Sequence, residues 1–88
     1  MILAWYDDAW SQYVEWQAND KRILRKINSL IEDALRHPTE GIGKPEALKY
    51  SLSGAWSRRI YEEHRLVYVF DKTTLTVVSC KTHYSDSL

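Results

Sequence analysis

Asp20-Lys21-Arg22-Ile23-Leu24-Arg25-Lys26-Ile27-Asn28-Ser29-Leu30-Ile31-Glu32-Asp33-Ala34-Leu35-Arg36 is the stretch that decides the fold of this 88-residue chain. Ile23, Leu24, Ile27, Leu30, Ile31, Ala34 and Leu35 recur with a period of about 3.6 residues, which predicts an amphipathic helix with one long apolar stripe. Asp20 suits its N-cap, because a short carboxylate can accept from the first unsatisfied backbone N–H groups. Pro38 closes it. An amphipathic helix draws most of its stability from burying its stripe, so the flanking sequence must supply a partner surface.

Upstream, residues 2–6 are apolar and predict a strand that leads directly into a first helix, with Asp7 and Asp8 as N-cap candidates. Ala9, Trp10, Tyr13, Val14 and Gln17 mark the expected buried face of that helix. Downstream, residues 39–45 form a loop punctuated by Gly41, Gly43 and Pro45. Residues 48–52, 55–61, 65–70 and 75–84 are rich in branched and aromatic side chains, and the segments between them have hairpin lengths. The predicted order is β-α-α-β-β-β-β, an α+β fold with both helices on one face of a mainly antiparallel sheet and the other face free to hold a site. Residues 1–84 are expected to form one domain and residues 85–88 a frayed tail. Trp10, Tyr13, Ile23, Ile27, Leu30 and Ile31 are core by spacing. Trp5, Trp16 and Trp56 fit a core, a partner interface or a stacking platform, the first two being favoured. Cys80, read as alternating with Val78 and Thr82, is expected to be a buried small residue without redox duty.

A single cysteine admits no internal disulfide and points to a reducing compartment, so the cytoplasm is the expected location. The N-terminus lacks the cationic region of a secretory signal and no apolar run is long enough to span a membrane, so neither export nor insertion is expected. The formal net charge is zero, with 12 Lys+Arg against 12 Asp+Glu, yet the distribution is lopsided. Residues 1–20 carry four acids and no base, whereas residues 21–65 carry ten bases against six acids. A basic middle of that kind suits a polyanionic partner. Lys21, Arg22, Arg25 and Lys26 fit either a solvated helix face or a sequence-independent RNA-binding grip on phosphates.

No phosphate-binding glycine loop, paired-cysteine motif or nucleophile elbow occurs, and His37, His64 and His83 lack metal-ligand spacing. Neither a metal nor a cofactor is expected. Carboxylate, arginine, histidine and tyrosine are the chemically able side chains of the C-terminal half. Those types suit metal-free RNA transesterification: a base for the 2'-hydroxyl proton, a cation for the phosphoryl oxygens, and an acid for the departing 5'-oxygen. Composition permits that set without establishing it.

Asp20-Lys21-Arg22-Ile23-Leu24-Arg25-Lys26-Ile27-Asn28, Gly43-Lys44-Pro45-Glu46-Ala47-Leu48-Lys49, Leu52-Ser53-Gly54-Ala55-Trp56-Ser57-Arg58-Arg59-Ile60, Glu62-Glu63-His64-Arg65-Leu66-Val67-Tyr68 and His83-Tyr84 resemble, in order, the YoeB/Txe branch of the RelE toxin superfamily. The resemblance implies a RelE-like fold and the toxin of a type II toxin-antitoxin system that cuts mRNA in the ribosomal A site. It implies Glu46 as general base, Arg65 as the phosphate-stabilising cation, His83 as general acid and Tyr84 as an orienting or stacking residue, with Lys49 and Arg59 facing RNA. It further implies a YefM-type antitoxin, the 70S ribosome with its mRNA as target, operator DNA reached only through the antitoxin, and a homodimer. The family commonly ends at the His-Tyr pair, whereas this chain continues from Ser85 to Leu88. A non-catalytic toxin like the gyrase-directed ParE relatives, or an RNA-binding module without turnover, are the alternatives. Strand register stays open at this stage, since a slip of one residue would carry Arg65 or His83 to the other face.

Overall fold

The computed structural model describes residues 1–81, apart from the side chain of Ser51. The elements are β1 (Ile2–Trp5), α1 (Asp7–Asn19), α2 (Lys21–Arg36), β2 (Glu46–Ala47), a 3-10 turn (Tyr50–Leu52), β3 (Trp56–Tyr61), β4 (His64–Phe70) and β5 (Thr74–Ser79). They form one five-stranded sheet in the order β1-β5-β4-β3-β2. Three of its pairings are antiparallel hairpin neighbours, and β1 alone runs parallel, against β5. The α+β class, the element order and the mainly antiparallel sheet are as the sequence predicts.

α2 forms as its stripe requires. Asp20 caps it, accepting from the backbone N–H groups of Arg22 and Ile23. Ile27, Leu30, Ile31 and Ala34 are buried against Ile60, Leu66, Tyr68, Leu75 and Val77 of the sheet. Full burial of side chains such as Ile27 and Leu30 stabilises the fold by about 1.5–3 kcal/mol each.

α1 departs from expectation in two ways. Tyr6, in extended conformation, is its N-cap, and Asp7 and Asp8 fall inside the first turn, where their charges complement the helix dipole. The buried face runs through Ala9, Tyr13 and Trp16, while Trp10 and Val14 remain 49% and 44% exposed. Trp10 instead packs in an aromatic group with Trp5 and Tyr13, at centroid distances of 5.5 and 5.7 Å. The direct turn from β1 into α1 sets the roll of the helix, and one-dimensional spacing could not resolve which side of a broad apolar face meets the sheet.

Two further expectations fail on the strands. The strand predicted over residues 48–52 lies earlier, at Glu46–Ala47, and residues 50–52 form the 3-10 turn. β5 ends at Ser79, and a bulge between the Val67–Ser79 and Tyr68–Val77 pairs breaks its alternation. Ser79 consequently lies opposite Val67, and Cys80 enters the helix-side core with Ala9 and Trp16 and does not share a face with Val78. Cys80 is fully buried, as expected, and burial pushes its thiol up to about 12, so it stays protonated near neutral pH. Residues 82–84 of the predicted strand and the tail over residues 85–88 lie outside the described residues.

The bolt between helix and sheet is Arg58, fully buried on the helix side of β3. Its Nε donates to the Tyr68 hydroxyl at 3.0 Å. Nη1 donates to Asp33 Oδ2 at 2.6 Å and to the carbonyl of Ile42, and Nη2 to the carbonyls of His37 and Glu40. All five guanidinium donors are thereby satisfied. The Tyr68 hydroxyl in turn donates to the Pro38 carbonyl at 2.6 Å. The loop closes this tightly because Gly41 and Gly43 have φ of +117° and +80°. A Cβ on Gly43 would lie 2.5 Å from Leu30 Cδ2, and one on Gly41 would collide with the Asp33 carboxylate. Arg58 and the Asp33 carboxylate inside the apolar helix were not singled out by the sequence pattern.

Candidate functional site

Register settles which side chains share the face away from the helices. Glu46 pairs with Ser57, Ser57 with Val67, and Arg59 with Arg65. Directly opposed residues project to the same side of a sheet, so Glu46, Ser57, Arg59 and Arg65 line this far face, while Arg58 and Leu66 point to the helices. Glu46 and Arg65 are two strands apart, about 10 Å laterally, and two residues apart along the strand direction.

Arg59 is exposed and stands opposite Arg65. Like charges so placed repel one another, and an anion between them would relieve the repulsion. Arg65 is half-buried. Its Nη1 donates to the carbonyl of Glu62 at 2.5 Å and of His64 at 3.1 Å, and those bonds hold the guanidinium over its own turn. The turn is a two-residue hairpin connection, and Glu62 takes the positive φ of +48° that primed turns demand at their first central position.

Lys44 and Tyr50 are also left-handed, at φ +52° and +57°. For non-glycine residues this conformation costs roughly 1–2 kcal/mol each. The three strained positions flank Glu46, Lys49 and Arg65, and backbone strain of this kind gathers where geometry serves a site. Lys49 is exposed at the entry to the 3-10 turn, next to Tyr50, which is 77% exposed. Sequence reasoning passed over Tyr50 because an isolated tyrosine in a presumed strand carries no signal; its exposure beside Lys49 makes it a stacking candidate. Leu52 reaches over the far side of the sheet, sharing a cleft with Val78 of β5 and with Trp5 and Tyr6.

The helical cations stand apart from this face. Lys21, Arg22, Arg25 and Lys26 are all exposed on the first turns of α2. Arg22 and Lys26 line a 460 Å³ groove with Ile23, Ile60 and Tyr61. They form a second basic patch on the helix side. His83 and Tyr84 lie outside the described residues.

Comparison with known proteins identifies the family of the chain. A profile described as YoeB-like toxin of bacterial type II toxin-antitoxin system matches residues 5–84. The chain belongs to the YoeB toxin family. It is 55% identical over 84 residues to toxin YoeB of Escherichia coli strain K12, covering 96% of this chain and all of that one. Among solved structures, it is similar to a YoeB/ParE toxin from Agrobacterium tumefaciens, with a TM-score of 0.92 and 46% identity over 96% of this chain and 100% of that one. It also resembles Staphylococcus aureus YoeB, solved as a dimer (TM-score 0.89) and as a heterotetrameric YoeB-YefM complex (TM-score 0.88), each 45% identical over 96% of this chain and 98% of that one. The chain is thus a type II toxin of the YoeB branch within the RelE superfamily.

The positions that the family resemblance nominates on β2, β3 and β4, namely Glu46, Arg59 and Arg65, are the ones that register brings to one side. Among the described residues, no three His, Cys, Asp or Glu side chains gather as a metal site would require, and no helix is long and apolar enough to cross a membrane.

Proposed function

We propose that this toxin is a ribosome-dependent mRNA endoribonuclease, acting in the A site, whose active site is the far face of the sheet. The observation that carries the reading is the alignment of Glu46, Arg59 and Arg65 on one sheet face, with Lys49 following β2 at its edge. In the proposed reaction Glu46 takes the proton of the ribose 2'-hydroxyl, and the oxygen attacks the adjacent phosphorus. Charge grows on the phosphoryl oxygens, where a fixed guanidinium stabilises the transition state more than the ground state. Arg65, tied to two carbonyls of its own turn, needs little reorganisation for that task. His83 gives a proton to the departing 5'-oxygen, with Tyr84 orienting the substrate. The products are a 2',3'-cyclic phosphate and a free 5'-hydroxyl. These residues supply both proton transfers and the counter-charge, so the step as written draws on no cofactor.

Lys49, Arg59 and the Lys21, Arg22, Arg25 and Lys26 patch are assigned to RNA contacts, the last group to ribosomal RNA. The assigned partners are a YefM-type antitoxin that covers the basic surface, a second copy of the toxin, and operator DNA through the antitoxin; the assigned compartment is the cytoplasm. Primer extension on an mRNA in a purified translation system tests the reading. Discrete A-site cuts by wild type, absent with naked mRNA and lost in Glu46→Ala, Arg65→Ala and His83→Gln, are the expected outcome. Inhibition of translation without cutting would overturn it in favour of a binding toxin.

A further inference from the structure

We infer that the groove between the first turns of α2 and the end of β3 holds one unpaired nucleotide of ribosomal RNA, its base on Tyr61 and its phosphate on Arg22 and Lys26. This deepens the RNA contact proposed for the helix patch and rests on it. The groove has a volume of 460 Å³ and is lined by Asp20, Arg22, Ile23, Lys26, Ile60 and Tyr61. Those residues combine an apolar floor, an aromatic wall and charge of both signs, the mixture that a base joined to a phosphate demands.

An irregularity in the sheet puts Tyr61 there. Successive residues of a regular strand point to opposite faces, so Tyr61 would follow Arg59 to the far face. The pairing of β3 with β4 shifts register between Arg59 and Tyr61. Ile60 and Tyr61 consequently both border the groove on the helix side, and bulges are a recurrent means of re-aiming a side chain beside a site. Ile60 is buried and forms floor, whereas Tyr61 remains 57% exposed. Among the described residues no other ring or cation stacks on Tyr61, so its face is open to a base.

The charges are equally uncommitted. Arg22 and Lys26, one helical turn apart, are exposed and take part in no ion pair among the described residues. Asp20 uses only Oδ1 as the helix cap, accepting there from the N–H groups of both Arg22 and Ile23. Its Oδ2 accepts no hydrogen bond among the described residues. Asp20 and Lys26 are about 9 Å apart along the helix axis, a span comparable with that of a nucleotide from base edge to phosphate. The carboxylate therefore meets the N–H groups of the base while the cations meet the phosphate. Guanine, with N–H donors on two adjacent atoms of one edge, suits Asp20 better than uracil, which has one. Lys21 and Arg25, also exposed, extend the positive charge beyond the groove, which favours a nucleotide within an RNA chain over a free one.

The test is a titration of the full-length, isotope-labelled toxin with guanosine and uridine monophosphates, read from backbone amide shifts. Guanosine monophosphate is expected to move the signals of Ile23, Ile60 and Tyr61 and to bind more tightly than uridine monophosphate. Tyr61→Ala, and Arg22→Gln combined with Lys26→Gln, should each weaken binding about fivefold or more, whereas Tyr61→Phe retains it. Asp20→Asn, which keeps a good N-cap, should abolish the preference for guanine over uracil. Equal shifts with inorganic phosphate alone, or shifts confined to the far face around Arg59 and Arg65, overturn the pocket. So does binding of hexaglutamate at Ile23 and Tyr61 with no shift from either nucleotide, which makes the groove a protein-docking surface. In co-sedimentation with ribosomes, Tyr61→Ala should weaken binding about fivefold or more, and unchanged binding overturns the ribosomal source in favour of a free nucleotide. Neither measurement requires cleavage, so a wild-type toxin that passes both and never cuts mRNA refutes the endonuclease and leaves the pocket standing.

Discussion

Arg58 and Arg59 are neighbours on one strand and have opposite fates. Arg58 is fully buried, and its five donors are all used on Asp33, Tyr68 and three carbonyls. Arg59 is exposed on the other face, opposite Arg65. The alternation of a strand separates two identical side chains into a scaffold and a candidate site. A guanidinium with every donor satisfied in a dry environment braces the fold. Two arginines opposed across a ladder repel one another, and an anion bound between them would relieve that repulsion.

The largest effect that would break this comparison is Arg58→Met. Removing one partner of a buried ion pair leaves unsatisfied acceptors behind and is expected to cost about 3–5 kcal/mol, read as a lower midpoint in urea unfolding. Arg59→Met should stay within about 0.5 kcal/mol of wild type in the same experiment. Equal losses in the two variants would erase the distinction. Next in size, Arg65→Ala should lower A-site cleavage about 10²- to 10³-fold while changing stability by no more than about 1 kcal/mol.

The pH dependence sharpens the scaffold side. Hydrogen bonds from the Arg58 side chain and the Ile42 N–H hold the Asp33 carboxyl below its ordinary value of 3.8. Its contribution is therefore fully present above the unfolded value and disappears as pH falls through the depressed folded value. Urea midpoints measured downward from pH 6 should fall below about pH 4 in wild type and be flatter in Asp33→Asn. At the alkaline end burial raises Tyr68, so the stability it lends is present below its ordinary value of 10.0 and declines as pH rises through the higher folded value. The smallest effect concerns the helix patch. Each single replacement of Lys21, Arg22, Arg25 or Lys26 by Gln should weaken ribosome binding and reduce the salt slope by about one, with the saturated cleavage rate unchanged. A slope that does not move would mark the patch as a solvated face.

Sequence and structure divide this molecule along physical lines. The apolar period from Ile23 to Leu35, the Asp20 cap and the hairpin spacings were legible because they depend on neighbours a few residues apart. Motif resemblance nominated Glu46, Arg59 and Arg65 one by one. Nothing in the linear string ranked Arg58 above the other bases, since its partners come from three separate stretches: Asp33 on α2, His37, Glu40 and Ile42 in the loop after it, and Tyr68 on β4. The roll of α1, which leaves Trp10 half in solvent, and the β5 bulge, which turns Cys80 into the core, were equally invisible. Both depend on how elements dock, and docking is decided by contacts between residues as far apart as Trp16 and Cys80. Local chemistry, written in the order of residues, determined which helices and strands form and which side chains are able to react. Register and packing decided which of them meet on one face, because a single inserted residue in a strand reverses the direction of every side chain beyond it.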